Sequence, residues 1–201
     1  MWLLVTGTGR CGTGYLAQVL TSAGVQCGHQ KVFNLGGWEG ALRAMDRWPA
    51  DSSWLAVPFL DRPELKHLTV VHLVRHPKET IDAFRRVMFH DTITGDDYYC
   101  WMCERLPELD EYDSLVDRAA CWVLRLNEMS ERRADLRHRL EDETTGLLAS
   151  LNIDWQGKRL FDDTHYNSQV GFGPSNVVLN DISQPLRDQL IEMSERYGYV
   201  W

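Results

Sequence analysis

The sequence contains no apolar run that approaches a membrane span and no tract rich in lysine and arginine. A membrane-spanning helix needs roughly 20 apolar residues, whereas the apolar stretch MWLLV has five residues. That stretch is also too short for a signal peptide and has no basic flank before it. We therefore expect a cytoplasmic chain without a membrane span.

Positive charge is scarce as well. Aspartate and glutamate number 29 against 21 lysines and arginines, which gives a formal net charge of -8. A negative global field repels polyanions, and nucleic-acid binding usually needs a basic patch. We therefore expect no nucleic-acid partner, and any anion site must be local.

Cysteines are few and scattered, which does not favour a disulfide framework because their number is odd. The five cysteines are Cys11, Cys27, Cys100, Cys103 and Cys121. Cys100 and Cys103 form one CxxC motif, but a structural zinc site needs about four ligands and no second pair follows. We expect no metal and predict that these two thiols share a helical face.

Strand-like and helix-like patterns alternate along the 201 residues, of which 44% are hydrophobic and 25% charged. HLTVVHLV, which ends shortly before Pro77, has the clearest strand pattern. SWLAVPFL is predicted to be a short strand ending at Pro58, and residues 155–174 a long loop. We predict an α/β fold with a single domain over residues 1–201 and a mainly parallel central sheet covered by helices on both faces.

A glycine-rich loop follows the first predicted strand. Gly7 and Gly12 bracket four residues and Thr13 follows, so the motif is G-x-x-x-x-G-T, whereas a Walker loop has G-x-x-x-x-G-K-[ST]. Such loops turn backbone N–H groups towards an anion at a helix N-terminus. The Walker lysine is missing, but Arg10 offers a planar charged fork. We favour a P-loop-type anion site over a plain glycine turn.

Arg75 is the second basic candidate, because it follows the predicted buried strand HLTVVHLV. Ligands bind beyond the carboxyl ends of the strands in open α/β sheets. The alternative is a strand-end arginine paired with a surface carboxylate. A magnesium-dependent triphosphatase is disfavoured, since the lysine is missing and no clear acidic metal ligand ends a following strand.

Together these two segments resemble the sulfotransferase family. GTGRCGTGYL resembles that family's 5′-phosphosulfate loop, and LVRHPKETIDAF resembles its 3′-phosphate segment, Arg-x-Pro followed by a helix. SWLAVPFL, RAACWVLRLNEMSE and RLEDETTGLLASLNI resemble further segments of bacterial members. The resemblance covers most of the chain.

The resemblance implies a donor substrate, 3′-phosphoadenosine 5′-phosphosulfate, and transfer of its sulfuryl group to a hydroxyl without a metal. Arg10 would be catalytic, stabilising charge on the transferred group and the leaving phosphate. Arg75 would bind the 3′-phosphate. The loop residues that would donate N–H or hydroxyl groups to the donor are Thr8, Gly9, Arg10, Cys11, Gly12, Thr13 and Gly14. The family also suggests a small-molecule or carbohydrate acceptor, including a glycolipid.

The match departs from the family at the 3′-phosphate. Ala83 stands where the family usually carries a serine, eight residues after the arginine. Thr80, one helical turn earlier, is a candidate substitute, although it equally fits a residue that only lies near the helix N-terminus. The late loop YNSQVGFG is predicted to cover the adenosine through Asn167, Ser168 and Gln169.

His29 is the candidate general base, because it follows the second predicted strand and an ordinary histidine pKa suits proton transfer. Glu39 is the alternative, and a structural role for His29 stays open. Lys31 and Trp54 are predicted to contact the acceptor beside His29, unless Lys31 is simply solvated and Trp54 belongs to the core. His72, inside a buried strand, is predicted to be structural.

Two other functions remain open on the sequence. One is a P-loop nucleotide kinase-like enzyme, which needs a lysine and a metal-binding carboxylate. The other is a non-catalytic nucleotide-binding protein of the same fold, which the alanine at position 83 keeps in contention. The oligomeric state stays open.

Overall fold

A computed structural model of the chain describes residues 1–87, 97–156, 158–162 and 177–201. The strands of this described part form one sheet in the spatial order β2-β3-β1-β4-β5. Every pairing between neighbouring strands is parallel. The strands are β1 (Leu3–Gly7), β2 (Cys27–His29), β3 (Ala50–Ser52), β4 (Thr69–Val74) and β5 (Leu136–Arg139).

Helices connect successive strands, as a parallel sheet requires. Between strands lie α1 (Thr13–Ser22), α2 (Gly37–Ala44), α3 (Pro77–Val87), α4 (Asp97–Arg105) and α5 (Leu115–Arg133), while β3 and β4 are joined through 3-10 helices only. After β5 the chain forms α6 (Thr144–Ser150) and α7 (Gln184–Arg196). Short 3-10 helices lie at Met45–Arg47, Trp54–Phe59, Pro63–Leu65, Pro107–Glu111 and Leu179–Asp181. None of the helices in the described ranges is both long enough and apolar enough to cross a bilayer.

The two faces of the sheet bury two separate clusters, because side chains alternate along each strand. Leu3 and Val5 of β1 pack in a cluster that includes apolar residues of α1 and α6. Leu4 points the other way, into a larger cluster that includes residues of α5 and α7. The predicted α/β fold, with a parallel sheet covered on both faces, is confirmed.

The prediction of a strand at SWLAVPFL was wrong. Trp54–Phe59 is a 3-10 helix, and β3 lies just before it, at Ala50–Ser52. The hydroxyl of Ser53 accepts the N–H of Leu55 at 3.2 Å, which caps the helical turn. A short buried apolar run has no periodicity that separates a strand from a helical turn, and the sequence therefore misled at this point.

The predicted long loop at residues 155–174 falls partly outside the described residues. Its candidates for covering the adenosine, Asn167, Ser168 and Gln169, lie outside them as well. Cys100 and Cys103 both lie on α4, the first exposed and the second half-buried.

Candidate functional site

The glycine loop and Arg75 lie where the connections of the sheet diverge. From β1 the chain runs through α1 to β2 on one side of the sheet, and from β4 it runs through α3, α4 and α5 to β5 on the other. β1 and β4 are neighbours, so this pair forms a topological switch point. Ligands of open α/β sheets bind in the crevice outside the carboxyl ends of such strands.

Packing and backbone geometry both require the loop's glycines. A Cβ at Gly7 would collide with the carbonyl oxygen of Leu73 on the neighbouring strand. Gly12 has φ 100° just before α1, and its Cβ would lie 2.5 Å from Cδ1 of Leu140. A left-handed conformation disfavours any residue with a Cβ. The packing at Gly7 and the backbone conformation at Gly12 therefore favour glycine over any other residue.

Cys11 fixes the loop from within. Its thiol donates to the carbonyl oxygen of Thr8 at 2.6 Å, and the side chain is buried. Burial raises the pKa of the Cys11 thiol to about 12, so the thiol stays protonated and keeps donating. The side chain thus belongs to the loop's own structure, and only the backbone N–H of Cys11 is left for the predicted role towards the donor.

The side chain of Arg75 contacts the backbone of the glycine loop at Arg10. Nη1 of Arg75 donates to the carbonyl oxygen of Arg10 at 3.1 Å, and Nη2 lies 4.0 Å from a carboxylate oxygen of Glu79. Arg10 itself has φ 62°, a left-handed conformation that is uncommon without glycine. The bond from Arg75 therefore helps to hold Arg10 in place.

The two guanidinium groups also repel each other. Burial lowers the pKa of Arg10, and the charge of Arg75 lowers it further. Strained backbone and unfavourable like charges are both typical of functional sites. An anion bound between the two groups would relieve the repulsion, so this corner of the crevice favours a ligand of high negative charge.

The N-terminus of α1 opens on the same crevice. No side chain of the described residues caps it, although capping side chains normally satisfy some of the first N–H groups of a helix. Ser52 donates its hydroxyl to the carbonyl oxygen of Thr13 at 2.7 Å, which fixes the first turn. Helix N-termini carry partial positive charge and bind phosphate through these N–H groups.

His29 reaches the start of α1. Its Nε2 lies 3.4 Å from Oγ1 of Thr13. Burial lowers the pKa of His29 below its ordinary value of 6.5, and the charge of Lys31 lowers it further. The imidazole is therefore neutral at pH 7, which is the form that accepts a proton. Lys31 is exposed beside it, and Glu39 is exposed in the first turn of α2.

Trp54 is not an open stacking platform for an acceptor. Its side chain is 6% exposed, and its ring makes edge-to-face contacts with Phe84, Trp101 and Trp122 at centroid distances of 6.4, 5.5 and 5.6 Å. A Cβ at Gly9 would lie 2.6 Å from Cζ of Phe84. The aromatic cluster thus forms the floor under the glycine loop, and Trp54 belongs to the core.

Thr80 is poorly placed to bind the 3′-phosphate. It is buried, and its hydroxyl donates to the carbonyl oxygen of His76 at 3.2 Å. A hydroxyl carries a single proton, so it would have to leave His76 before it could donate to a phosphate. Ala83 is half-buried one turn further along α3. Of the two basic candidates and Thr80, the structure brings only Arg10 and Arg75 together.

Two buried polar residues of the strands have clear roles. His72 bonds Oδ1 of Asn127 at 2.9 Å and is fully buried, which confirms its structural assignment. Asp51 of β3, which the sequence analysis missed, accepts the N–H of Lys31 at 3.0 Å and of Phe33 at 3.1 Å. The available signal was an acid inside the buried pattern PADSSWLAV.

No family model matches the chain, and no curated protein matches it either. The assignment of the site therefore depends on its own geometry, together with the resemblance of its two basic segments. Among the residues that the structure describes, no group of three or more histidine, cysteine, aspartate or glutamate side chains could hold a metal ion.

Proposed function

We propose that this protein is a sulfotransferase that moves a sulfuryl group from 3′-phosphoadenosine 5′-phosphosulfate to a hydroxyl acceptor. The observation that carries the proposal is the bond from Arg75 to the carbonyl oxygen of Arg10, which joins the two basic segments at the switch point. A donor with a 5′-phosphosulfate and a 3′-phosphate offers one anionic group to Arg10 and a second to Arg75.

The reaction transfers the group in one displacement. The acceptor oxygen forms a bond to sulfur while the bond from sulfur to the bridging oxygen of the 5′-phosphosulfate breaks. The electron pair stays on the leaving phosphate, and the product is 3′-phosphoadenosine 5′-phosphate. Arg10, with the loop amides and the N-terminus of α1, stabilises the charge that grows on that phosphate. The acceptor's proton goes to the neutral imidazole of His29.

Each remaining candidate has a defined part in this proposal. The amides of Thr8, Gly9, Cys11, Gly12, Thr13 and Gly14 bind the phosphosulfate, together with the side chain of Arg10. Arg75 binds the 3′-phosphate. Lys31 is exposed beside His29, so it favours an acceptor that carries negative charge near the reacting hydroxyl. A small molecule, a carbohydrate or a glycolipid with an anionic group near that hydroxyl fits this requirement, and the reaction would take place in the cytoplasm.

A nucleotide kinase-like reaction has less support. It needs a lysine in the loop and a carboxylate that helps to hold magnesium. Arg10 stands in the loop without a lysine, and Asp51 on the strand next to β1 has both oxygens on backbone N–H groups. That carboxylate serves the fold of the neighbouring turn.

Calorimetry with 3′-phosphoadenosine 5′-phosphate, without and with Mg²⁺, tests the proposal together with transfer of labelled sulfate to a panel of hydroxyl acceptors. We expect binding that does not need the metal, and turnover on at least one acceptor. Binding without turnover on the panel would favour the non-catalytic nucleotide-binding protein. Binding of ATP that requires Mg²⁺ would favour the kinase.

Arg10→Ala tests the centre of the proposal. Alanine keeps the Cβ at φ 62°, so the cost of the left-handed backbone is nearly unchanged while the charge is lost. Loss of one charge-stabilising donor lowers kcat by about 100- to 1000-fold. Arg43→Ala, at an exposed position of α2, is the matched control for loss of one positive charge. Turnover of Arg10→Ala close to that of the control would mean that the loop is not the catalytic site.

A further inference from the structure

Asp51 is a fully buried carboxylate with no direct role in the proposed reaction. It lies on β3, between β2 and β1. Its Oδ1 accepts the N–H of Lys31 at 3.0 Å and its Oδ2 accepts the N–H of Phe33 at 3.1 Å. A buried charge is tolerated only when hydrogen bonds replace its water, and here both replacements come from one short turn.

The turn that Asp51 holds begins directly after His29, the last residue of β2. Gln30 follows His29 at once, with φ 56°, and its N–H donates to the carbonyl oxygen of Ser52 at 3.3 Å. On the other side of His29, a Cβ at Gly28 would lie 2.7 Å from Oδ1 of Asp51. The carboxylate thus packs under the residue before His29 and binds the backbone after it.

Ser52, the residue after Asp51, holds Thr13, which is the hydrogen-bonding partner of His29. Ser52 donates its hydroxyl to the carbonyl oxygen of Thr13 at 2.7 Å, and Oγ1 of Thr13 lies 3.4 Å from Nε2 of His29. Ser53 adds a bond of 2.7 Å to the carbonyl oxygen of Phe33. Three consecutive residues therefore bind both the turn that follows His29 and the first turn of α1.

We propose that Asp51 is a positioning residue that holds the imidazole of His29 against the start of α1. This inference rests on the proposed function, in which His29 accepts the proton of the acceptor hydroxyl. A carboxylate suits the task because two N–H donors need two acceptor oxygens. An asparagine offers one oxygen and turns its NH₂ group towards the second N–H.

The test compares Asp51→Asn with Asp117→Asn. Asp117 is a half-buried carboxylate of α5 that accepts the backbone N–H of Ser183 at 2.8 Å, so its variant controls for the loss of a similar bond elsewhere. The first measurement is the pKa of the His29 imidazole by NMR, assigned with His29→Gln. We expect this pKa to rise towards its ordinary value in Asp51→Asn, as the imidazole leaves its half-buried position, and to stay unchanged in Asp117→Asn.

The direction of that shift separates positioning from simple electrostatics. Removal of a nearby negative charge would by itself lower the pKa of a histidine, so a rise reports displacement of the ring. In turnover, misplacement of a base by about 1 Å lowers kcat by about 100-fold. We expect such a fall with little change in the affinity for 3′-phosphoadenosine 5′-phosphate, because Asp51 does not contact the donor.

An unchanged or lowered pKa of His29 in Asp51→Asn would overturn the inference. The NMR measurement does not need turnover, so a wild-type protein that transfers no sulfate refutes the proposed function and leaves this test intact. If Asp51→Asn does not fold, hydrogen exchange of the wild-type protein decides. Slow exchange at the amides of Lys31 and Phe33 supports the hold by Asp51, and exchange at the rate of a free amide refutes it.

Discussion

Replacement of Gly12 by alanine is the sharpest test of the loop. Gly12 has φ 100°, and a left-handed conformation costs a residue with a Cβ roughly 1–2 kcal/mol. The new Cβ would also lie 2.5 and 3.0 Å from the two terminal methyl groups of Leu140. These methyl groups are the far end of a half-buried side chain, so a rotation of Leu140 relieves much of this clash. We therefore expect Gly12→Ala to lower the free energy of unfolding by about 1–2 kcal/mol, mainly through the backbone.

Urea unfolding, followed by tryptophan fluorescence, measures this loss. Gly146→Ala is the matched control, because Gly146 lies within α6 and its Cβ would meet no atom within 4 Å outside its own helix. Alanine in a helix interior is favoured over glycine by about 0.5–1 kcal/mol, so this variant should be slightly more stable than the wild type. The two substitutions add the same methyl group and should change the free energy of unfolding in opposite directions.

Calorimetry with 3′-phosphoadenosine 5′-phosphate then links the loop to the ligand. A shift of the loop moves the amides at the start of α1, so Gly12→Ala should bind the nucleotide more weakly, while Gly146→Ala binds it like the wild type. In a Leu140→Ala background, Gly12→Ala should still cost the backbone part of the lost stability, because only the contact with Leu140 has been removed. A Gly12→Ala protein as stable as the Gly146→Ala protein would refute the reasoning.

Three further predictions follow from the same geometry. Arg75→Ala should weaken the binding of 3′-phosphoadenosine 5′-phosphate far more than that of adenosine 5′-phosphate, measured by calorimetry, and equal losses would leave Arg75 only its bond to the loop backbone. In wild-type turnover, kcat/KM should rise with pH through a midpoint below 6.5, because burial lowers the pKa of His29 and the neutral form is the base. In His29→Gln this rise of kcat/KM with pH should disappear, and a rise that persists would exclude His29 as the base. Trp54→Ala should cost about 3–5 kcal/mol in urea unfolding, whereas Trp2→Ala, at a position that is 39% exposed, should cost far less. Similar costs at the two positions would contradict the core assignment of Trp54.

Some features of this protein were predictable from local sequence pattern alone. The strand at HLTVVHLV, the glycine turn before α1 and the alternation of strands with helices depend on side-chain period and on backbone freedom, and these are properties of neighbouring residues. The parallel sheet follows from that alternation. The order of these elements also placed the glycine loop and Arg75 at the carboxyl ends of strands, which the structure confirms.

Tertiary structure alone decided what each candidate side chain contacts. The same apolar run that indicated a strand with an open tryptophan is a 3-10 helix whose Trp54 lies among aromatic rings from three other helices. Arg75 holds the carbonyl of a residue 65 positions earlier, and Asp51 holds a turn 18 to 20 positions before it. Burial and hydrogen-bond partners at such separations in sequence depend on the order in which the strands pair in the sheet. A local pattern carries no information about that order, so the partners of Asp51 and the meeting of the two arginines could be found only in the folded chain.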